Sequence, residues 1–378
     1  IMISFNADKL LSFLTINFNF IINLSGIIMK NNYLAAQRIH NQQIYNPQFS
    51  EPENVIKHMV AMQAQDYAGA KWAIDLRTYN ASEDVIEQAI TDGKILRTHL
   101  LRPTWHFVSP QDIRWLLTLT APRIHAINAP FYRKFGFTDA LFNKTNELLT
   151  RALQGNKQLS RPEVLNLIKQ AGIATDDIRF TIILMRAELD QVICSGARVG
   201  KQFTYALLDD RAPVTSILTQ EEALAKLALG YFKSRGPATL HDFANWSGLT
   251  LTDAGIGLEQ VKAQLINDVV DSRTYWMPDN TIDLPSLKTK AYLLPAFDEF
   301  AIAYKDRDAL VNPKYLKQAR HVIFDPAIIV DNQVVGTWKR TVKAKSVDVH
   351  LNLFGSLNKT QEKAVEAAVS RYRKFLFS

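Results

Sequence analysis

Two glutamines one residue apart, Gln63 and Gln65, stand in the stretch KHMVAMQAQDYAGAKWAI, Lys57 to Ile74, where an apolar helical pattern stops and Asp66 follows directly. An amide offers a carbonyl oxygen that accepts and an NH2 that donates, so a pair of them can hold a water or a base without carrying charge. Spacing sets a geometric condition. Residues two apart point to one side of an extended segment, but in a helix they diverge by about 200°. The pair converges only if the helix ends at or before Gln63. Two readings therefore stand at the level of the residues: amides that line or cap a turn, or amides aimed at one water.

The basic residues have an uneven distribution. The formal charge is +7, and the window Lys94 to Lys134 alone carries Lys94, Arg97, Arg102, Arg114, Arg123, Arg133 and Lys134 against a single Asp112. His99, His106, Trp105, Phe107 and Trp115 are interleaved with them. A basic hairpin studded with aromatic rings suits phosphates and stacked bases; a solvated basic face over an aromatic core has the same composition. Thr104 and His106 alternate on one face of the expected strand, within reach of the glutamines or of a phosphate. A second cluster, Lys339, Arg340, Lys343 and Lys345, follows Trp338 and suits the backbone of a duplex. Asp298 and Glu299 in AFDEF form an acidic pair expected to meet Arg307 or Lys305, or else to polarise a catalytic group. Trp338 is expected in the core beside a charged turn.

Composition narrows the classes. With 47% apolar and 21% charged residues the 378-residue chain is a globular protein of two or three domains. One cysteine, Cys194, forbids an internal disulfide, suits a reducing compartment, and is expected to be a buried small apolar residue. HExxH, paired Cys/His spacing and glycine-rich phosphate loops are all missing, so neither a metal nor a nucleotide cofactor is expected. Leu10–Ile28 is uncharged and nearly long enough to span a membrane. Asn17, Asn19 and Asn23 speak against that, and Met29 resembles a natural start. Residues 1–28 are therefore expected to be a non-native or disordered leader, a membrane anchor being the alternative.

These residues need elements to position them. Ser50 and Glu53 predict a capping box with Pro52 in the first turn, and Val55, Ile56, Met59, Val60 and Met62 a helix stopping near Gln63. A second helix starts near Tyr67, and a third runs from its cap Ser82 to Gly93. Lys94 to Ser109 reads as a hairpin turning at Arg102-Pro103, followed by a helix that ends before Pro122. Helices followed by a hairpin is the order of a winged-helix unit. The order recurs from Leu159, with Ser160 as cap, Gly172 as stop, a helix over TIILMRAELDQVICSG and a strand in KQFTYALLDD. It recurs again from Glu221, with a helix-turn-helix in GPATLHDFANWSGL and strands on either side of Asp279-Asn280. After Pro285 the runs AYLLPAFDEFAIAYKDRDAL, HVIFDPAIIVDNQVVGTWKR and SVDVHLNLFG read as strands, with a turn at Asp331-Asn332 and a closing amphipathic helix. The expected class is α+β: three tandem winged-helix modules over 29–137, 138–215 and 216–287, with a C-terminal α+β cap over 288–378.

Five phrases in order, MVAMQAQD, ILRTHLLRPTWHFVSPQDIRWLL, RGPATLHDFANWSGL, YLLPAFDEFAIAYKDR and VVGTWKR, together resemble the winged-helix DNA glycosylases of the AlkZ-like family and its YcaQ-like relatives. The resemblance covers the chain from about Leu34 to Phe375. It implies a curved body with a basic concave face and Gln63 and Gln65 as catalytic residues. It implies DNA contacts from the Arg97–Phe107 hairpin, with Arg97, His99, Arg102, Thr104 and His106; the second basic cluster adds Lys339 and Arg340 as expected contacts. It further implies an enzyme that excises N7-alkylated purines from duplex DNA, some relatives unhooking interstrand crosslinks; with no lysine in the motif a monofunctional enzyme is expected, cytoplasmic and monomeric. Asp66 has no role assigned by it. A winged-helix DNA-binding regulator without catalysis is the alternative.

Overall fold

Three times along the chain a helix, a short strand, two helices and a hairpin follow one another. The computed structural model describes residues 31–79, 81–214, 217–280, 288–320 and 324–377; the leader expected at 1–28 and its membrane-anchor alternative lie outside them. After a helix over 31–41 (α1), the first unit runs α2 (Pro52–Met59), β1 (Ala61–Gln63), α3 (Tyr67–Asp75), α4 (Glu83–Thr91), β2 (Leu96–Leu100), β3 (Thr104–Val108), its sheet ordered β1-β3-β2. The long α5 (Ile113–Lys134) leads to the second unit: α6 (Asp139–Leu153), β4 (Leu159–Ser160), α7 (Arg161–Gln170), α8 (Asp177–Leu189), β5 (Ile193–Ser195), β6 (Thr204–Leu207), ordered β4-β6-β5. A short α9 (Leu208–Arg211) precedes the third: α10 (Gln220–Arg235), α11 (Leu240–Ser247), α12 (Leu251–Val261), β7 (Ile266–Val270), β8 (Arg273–Met277), where a single bridge from Ala238 to Trp276 stands in for the first strand. Then come β9 (Ala291–Leu294), α13 (Glu299–Ile302), β10 (Ala327–Val330), β11 (Gln333–Val342), β12 (Val347–Leu353) and α14 (Lys359–Phe377), the four strands ordered β12-β11-β10-β9. The class is α+β. No helix among the described residues is long and apolar enough to cross a membrane.

Local signals account for many of the ends. Ser82 caps α4 by accepting from the Val85 N–H, Ser160 and Glu163 form a capping box on α7, and Asp331-Asn332 turns with both φ positive, at 47° and 71°. Elsewhere longer-range packing prevails. The expected Ser50–Glu53 box does not form: Pro52, which has no N–H to offer, takes the first helical position, Glu51 becomes the cap residue, and Glu53 turns to Lys94 at 3.6 Å. Helix α5 does not stop before Pro122 but continues through Pro122 and Pro130. Ile124 is buried in one apolar core and Tyr132 in the next, and anchorage on both sides outweighs the roughly 3 kcal/mol a helical proline costs.

Three other expectations are corrected. The run ICS is strand β5, pairing Cys194 with Ala206, because Gln191 at φ 61° ends α8. Strand β8 pairs upstream with β7 across an Asp271-Ser272 turn, and the run expected after Asn280 lies outside the described residues. Only Ala291–Leu294 of AYLLPAFDEF is strand, since Asp298 accepts from the Phe300 N–H at 2.8 Å and starts a helical turn. Trp338 is a core residue as expected, but it lies within β11, so Lys339 and Arg340 belong to a strand and not to a turn.

The C-terminal sheet shares its core with the first unit. Trp72 and Trp338 both stack edgewise on Tyr372, and their indole N–H groups donate to the consecutive carbonyls of Leu293 and Leu294. On the other side, the tip of the β2–β3 hairpin seats against the turn between α11 and α12. Gly248 there has φ 73°, and a Cβ on it would stand 2.7 Å from the Leu101 carbonyl oxygen. Gly248→Ala is expected to cost about 1–3 kcal/mol through strain and contact together, read as a lowered urea midpoint; an unchanged midpoint would show that the tip is free to move.

Candidate active site

Helix α2 ends at Met59 because Val60 adopts φ 62°, ψ −52°, a rare and strained geometry for a β-branched residue. Space for it comes from α10: a Cβ on Gly230 would lie 2.3 Å from a Val60 methyl. The chain leaves that kink extended. Met62 and Ala64 enter one apolar core and Ala61 faces another, Gln63 is half-buried, and Gln65 is exposed. Ala61, Met62 and Gln63 face Val108, Phe107 and His106, and the Ala64 N–H donates to the Trp105 carbonyl at 2.7 Å. Extending that register puts Gln65 opposite Thr104. Gln63, Thr104 and His106 thus share one face of the sheet with Thr98, the partner of His106 in β2.

What fixes the strand comes from far along the chain. Arg235, fully buried, donates to the carbonyls of Met59 at 2.8 Å and Ala61 at 2.7 Å, and its Nε and Nη2 reach Glu299 Oε2 at 2.9 and 2.8 Å. The other carboxylate oxygen, Oε1, accepts the Gln63 backbone N–H at 2.9 Å, and the Trp246 indole also donates to Oε2. The neighbouring Asp298 makes a two-pronged pair with Arg77 at 2.8 and 2.9 Å. The acidic pair therefore does not meet Arg307 or Lys305; the Arg307 Nε–H donates to the Ala301 carbonyl, and the Lys305 backbone N–H donates to Asp242. Sequence reasoning missed Arg235 altogether. The signal for Glu299 was present, since a charged pair flanked by Phe297 and Phe300 calls for buried counter-ions.

Asp66 has a plain task. It caps α3 by accepting from the Gly69 N–H at 3.1 Å, and a Cβ on Gly69 would collide with its carboxylate at 2.5 Å. Arg340, on β11, reaches Asp66 at 4.0 Å and the Tyr372 hydroxyl at 2.7 Å, so part of the second basic cluster lies beside the glutamine segment. Lys339 is exposed.

Two of the hairpin residues proposed for DNA contact point the other way. Arg97 is buried between Trp105 and Phe203, 4.4 and 4.7 Å from their ring centres, and its Nε donates to the Ala64 carbonyl at 3.2 Å. Burial pushes its pKa down to about 10, so it stays charged at neutral pH. His99, also buried, packs at a tilt on Trp105 and gives both its ring Nδ1–H and its backbone N–H to Glu188 of α8. Both residues join the first unit to the second and hold the glutamine segment from behind; neither has a surface to offer a phosphate. On the glutamine face, His106 is wholly buried. Its Nδ1 faces the Thr104 carbonyl at 2.9 Å and must carry the proton, since a carbonyl only accepts. Burial, with Arg102 adding, pushes its pKa down to about 3, so at neutral pH Nε2 presents a lone pair. Among the described residues that Nε2 and the hydroxyls of Thr98 and Thr104 have no hydrogen-bond partner. Arg102, half-buried at the hairpin tip, reaches back to Gln63 Oε1 at 3.3 Å and across to the Asn245 carbonyl at 3.2 Å. No cluster of His, Cys, Asp or Glu suited to a metal occurs among the described residues.

A model of the AlkZ-like family, described as DNA glycosylase AlkZ-like, matches residues 56–375. The interstrand DNA cross-link repair glycosylase of Streptomyces sahachiroi is 22% identical over 320 residues, covering 77% of this chain and 84% of that protein. The solved structure of Streptomyces sahachiroi DNA glycosylase AlkZ superposes with a TM-score of 0.74 at 19% identity, covering 92% of this chain and 98% of that one.

Two measurements test the electrostatics. Glu299→Gln leaves the Arg235 charge buried without its counter-ion and should cost about 3–5 kcal/mol in urea unfolding, with faster hydrogen exchange at the Gln63 amide; a loss below 1 kcal/mol would show the clamp to be dispensable. His106 takes up a proton in the unfolded chain near pH 6.5 and in the folded chain only near pH 3. Unfolding is therefore favoured as pH falls through that window. The stability difference between wild type and His106→Gln should shift towards the variant from pH 6.5 downwards and level off near pH 3; a pH-independent difference would contradict the assignment.

Proposed function

The chain belongs to the AlkZ-like DNA glycosylase family, and on that premise we propose that it excises cationic N7-alkylated purines from duplex DNA, and unhooks interstrand crosslinks at such bases, by water attack arranged by Gln63 and Gln65. The observation that carries this reading is the extended segment itself. Met62 and Ala64 are locked in the core, so alternation sends the two amides to the opposite side, where Gln63 is half-buried and Gln65 exposed.

The chemistry fits neutral side chains. Breaking the bond between C1′ and the purine nitrogen sends its electron pair into the base and builds oxocarbenium character on the sugar. A purine alkylated at N7 is already cationic and leaves as a neutral base, so no strong general acid is required. Water adds to C1′ and its surplus proton goes to solvent, leaving an abasic sugar. Amides are suited to orienting that water and to stabilising the developing charge through their dipoles. No lysine stands in the motif, which favours a monofunctional hydrolase over one with a Schiff-base lyase step.

The three repeated units support a winged-helix reading, with a short first strand pairing to the last strand of the hairpin in the first two and a single bridge taking its place in the third. Lys339 and Arg340 are the basic residues we assign to the duplex, Arg340 being placed beside Asp66. A winged-helix regulator without chemistry would need a DNA-facing surface but would have no use for a strand clamped from residues 235 and 299.

A duplex carrying one N7-alkylguanine should release the free base when incubated with the protein. Gln63→Ala and Gln65→Ala should each slow release by about 10²–10³-fold while binding the duplex as wild type does; wild-type rates in both variants would end the assignment. Lys339→Ala should instead weaken duplex binding of any sequence and lower the salt slope of log K by about one.

A further inference from the structure

We infer that Arg102 is a positioning residue that acts through Gln63, fixing which end of the amide faces the reaction, and is not a phosphate contact. The inference rests on the glycosylase reading and refines it. A guanidinium has donors only, so the end of the Gln63 amide lying 3.3 Å from Nη2 must be the oxygen. The amide cannot flip without losing that contact, and its NH2 is held away from Arg102. The cation itself is fixed at both ends: Nη1 donates to the Asn245 carbonyl on α11, and the hairpin tip that carries it sits on the turn at Gly248. No carboxylate forms an ion pair with Arg102 among the described residues. Glu299, the carboxylate whose field reaches Arg102, is committed to Arg235, so the guanidinium polarises the Gln63 amide.

The two glutamines consequently differ. Gln63 has its backbone N–H on Glu299 and its oxygen on Arg102, which leaves it as a fixed N–H donor with a weakened acceptor. Gln65 is exposed and free to offer its carbonyl oxygen to the attacking water. In this division Gln65 accepts from the water as it adds to C1′, its proton passing on to solvent, while the Gln63 NH2 holds the water or a sugar oxygen in line. A phosphate-binding arginine would be expected to extend into solvent, as Lys339 does, and not to fold back onto a neutral amide.

Single-turnover release of N7-methylguanine from a saturating duplex, with Kd measured on the same duplex, separates the two roles. Arg102→Ala, and Arg102→Gln as a second variant should the first not fold, are expected to release base about 10²-fold more slowly with Kd unchanged, and added guanidinium ion should restore part of the rate. Gln63→Glu, which keeps the oxygen on Arg102 but loses the NH2, should be as slow as Gln63→Ala. Release by the Arg102 variants at the wild-type rate, with a weaker Kd and a salt slope reduced by about one, overturns the inference and makes Arg102 a phosphate contact. Failure of the wild-type protein to release any base is a separate result, which would remove the glycosylase reading before any variant is compared.

Discussion

One buried ion pair governs the rest of this structure. Arg235 and Glu299 are almost completely withdrawn from water, at 0% and 1% side-chain exposure, and such a pair repays its desolvation only when the remaining donors and acceptors are also satisfied. Here they are. The arginine takes two backbone carbonyls and a serine hydroxyl besides the carboxylate, and the carboxylate takes an indole and a backbone N–H. The groups used up in this way flank Val60, whose backbone is strained. Strain of about 1–3 kcal/mol persists only where surrounding contacts over-determine it. The ion pair, the missing Cβ of Gly230 and the ladder to β3 provide that over-determination.

The clamp also explains why the apolar cores cross between repeats. Met62 and Ala64 pack with the C-terminal sheet, Val60 and Ala61 with α10 and α12 of the third unit, so adjacent residues of one short segment lie in different cores. From behind, Arg97 and His99 connect the same segment to the second unit through Ser195 and Glu188. All the folded parts of the chain therefore meet around a stretch of six or seven residues. That arrangement suits a site whose side chains must stay within a fraction of an ångström of a set geometry.

How much of this could be read from the sequence depended on the range of the interaction responsible. Caps and turns are decided within four residues, and Ser82, Ser160, Gly172 and Asp331-Asn332 were legible for that reason. So were the hairpin, the three-fold recurrence of pattern and a break in the helix before Gln63, although it falls at Val60 and puts Met62, expected on the helix, in β1. Pro122 misled because the burial that carries α5 past it comes from two cores assembled out of distant segments. Arg97 and His99 look like any basic residues on a hairpin; only the packing of the second unit against β2 turns them inward. The partners of Asp298 and Glu299 lie 221 and 64 residues away, and no local pattern selects Arg77 and Arg235 over the nearer Lys305 and Arg307. The glutamine pair was visible as a motif, but the difference between its members was not, because it arises from Arg102 folding back across the sheet.

The placement of Glu299 affects the order in which the protein matures. A chain emerging from the ribosome presents the Gln63 segment early, yet the carboxylate that fixes its amide appears some 236 residues later. Until then the strand can pair with its hairpin but lacks the counter-ion for Arg235. Cutting the gene back to its first repeat would for the same reason yield a fragment with both glutamines, the hairpin and Arg102 but neither Arg235 nor Glu299, so the clamp on that strand needs a chain that reaches at least α13.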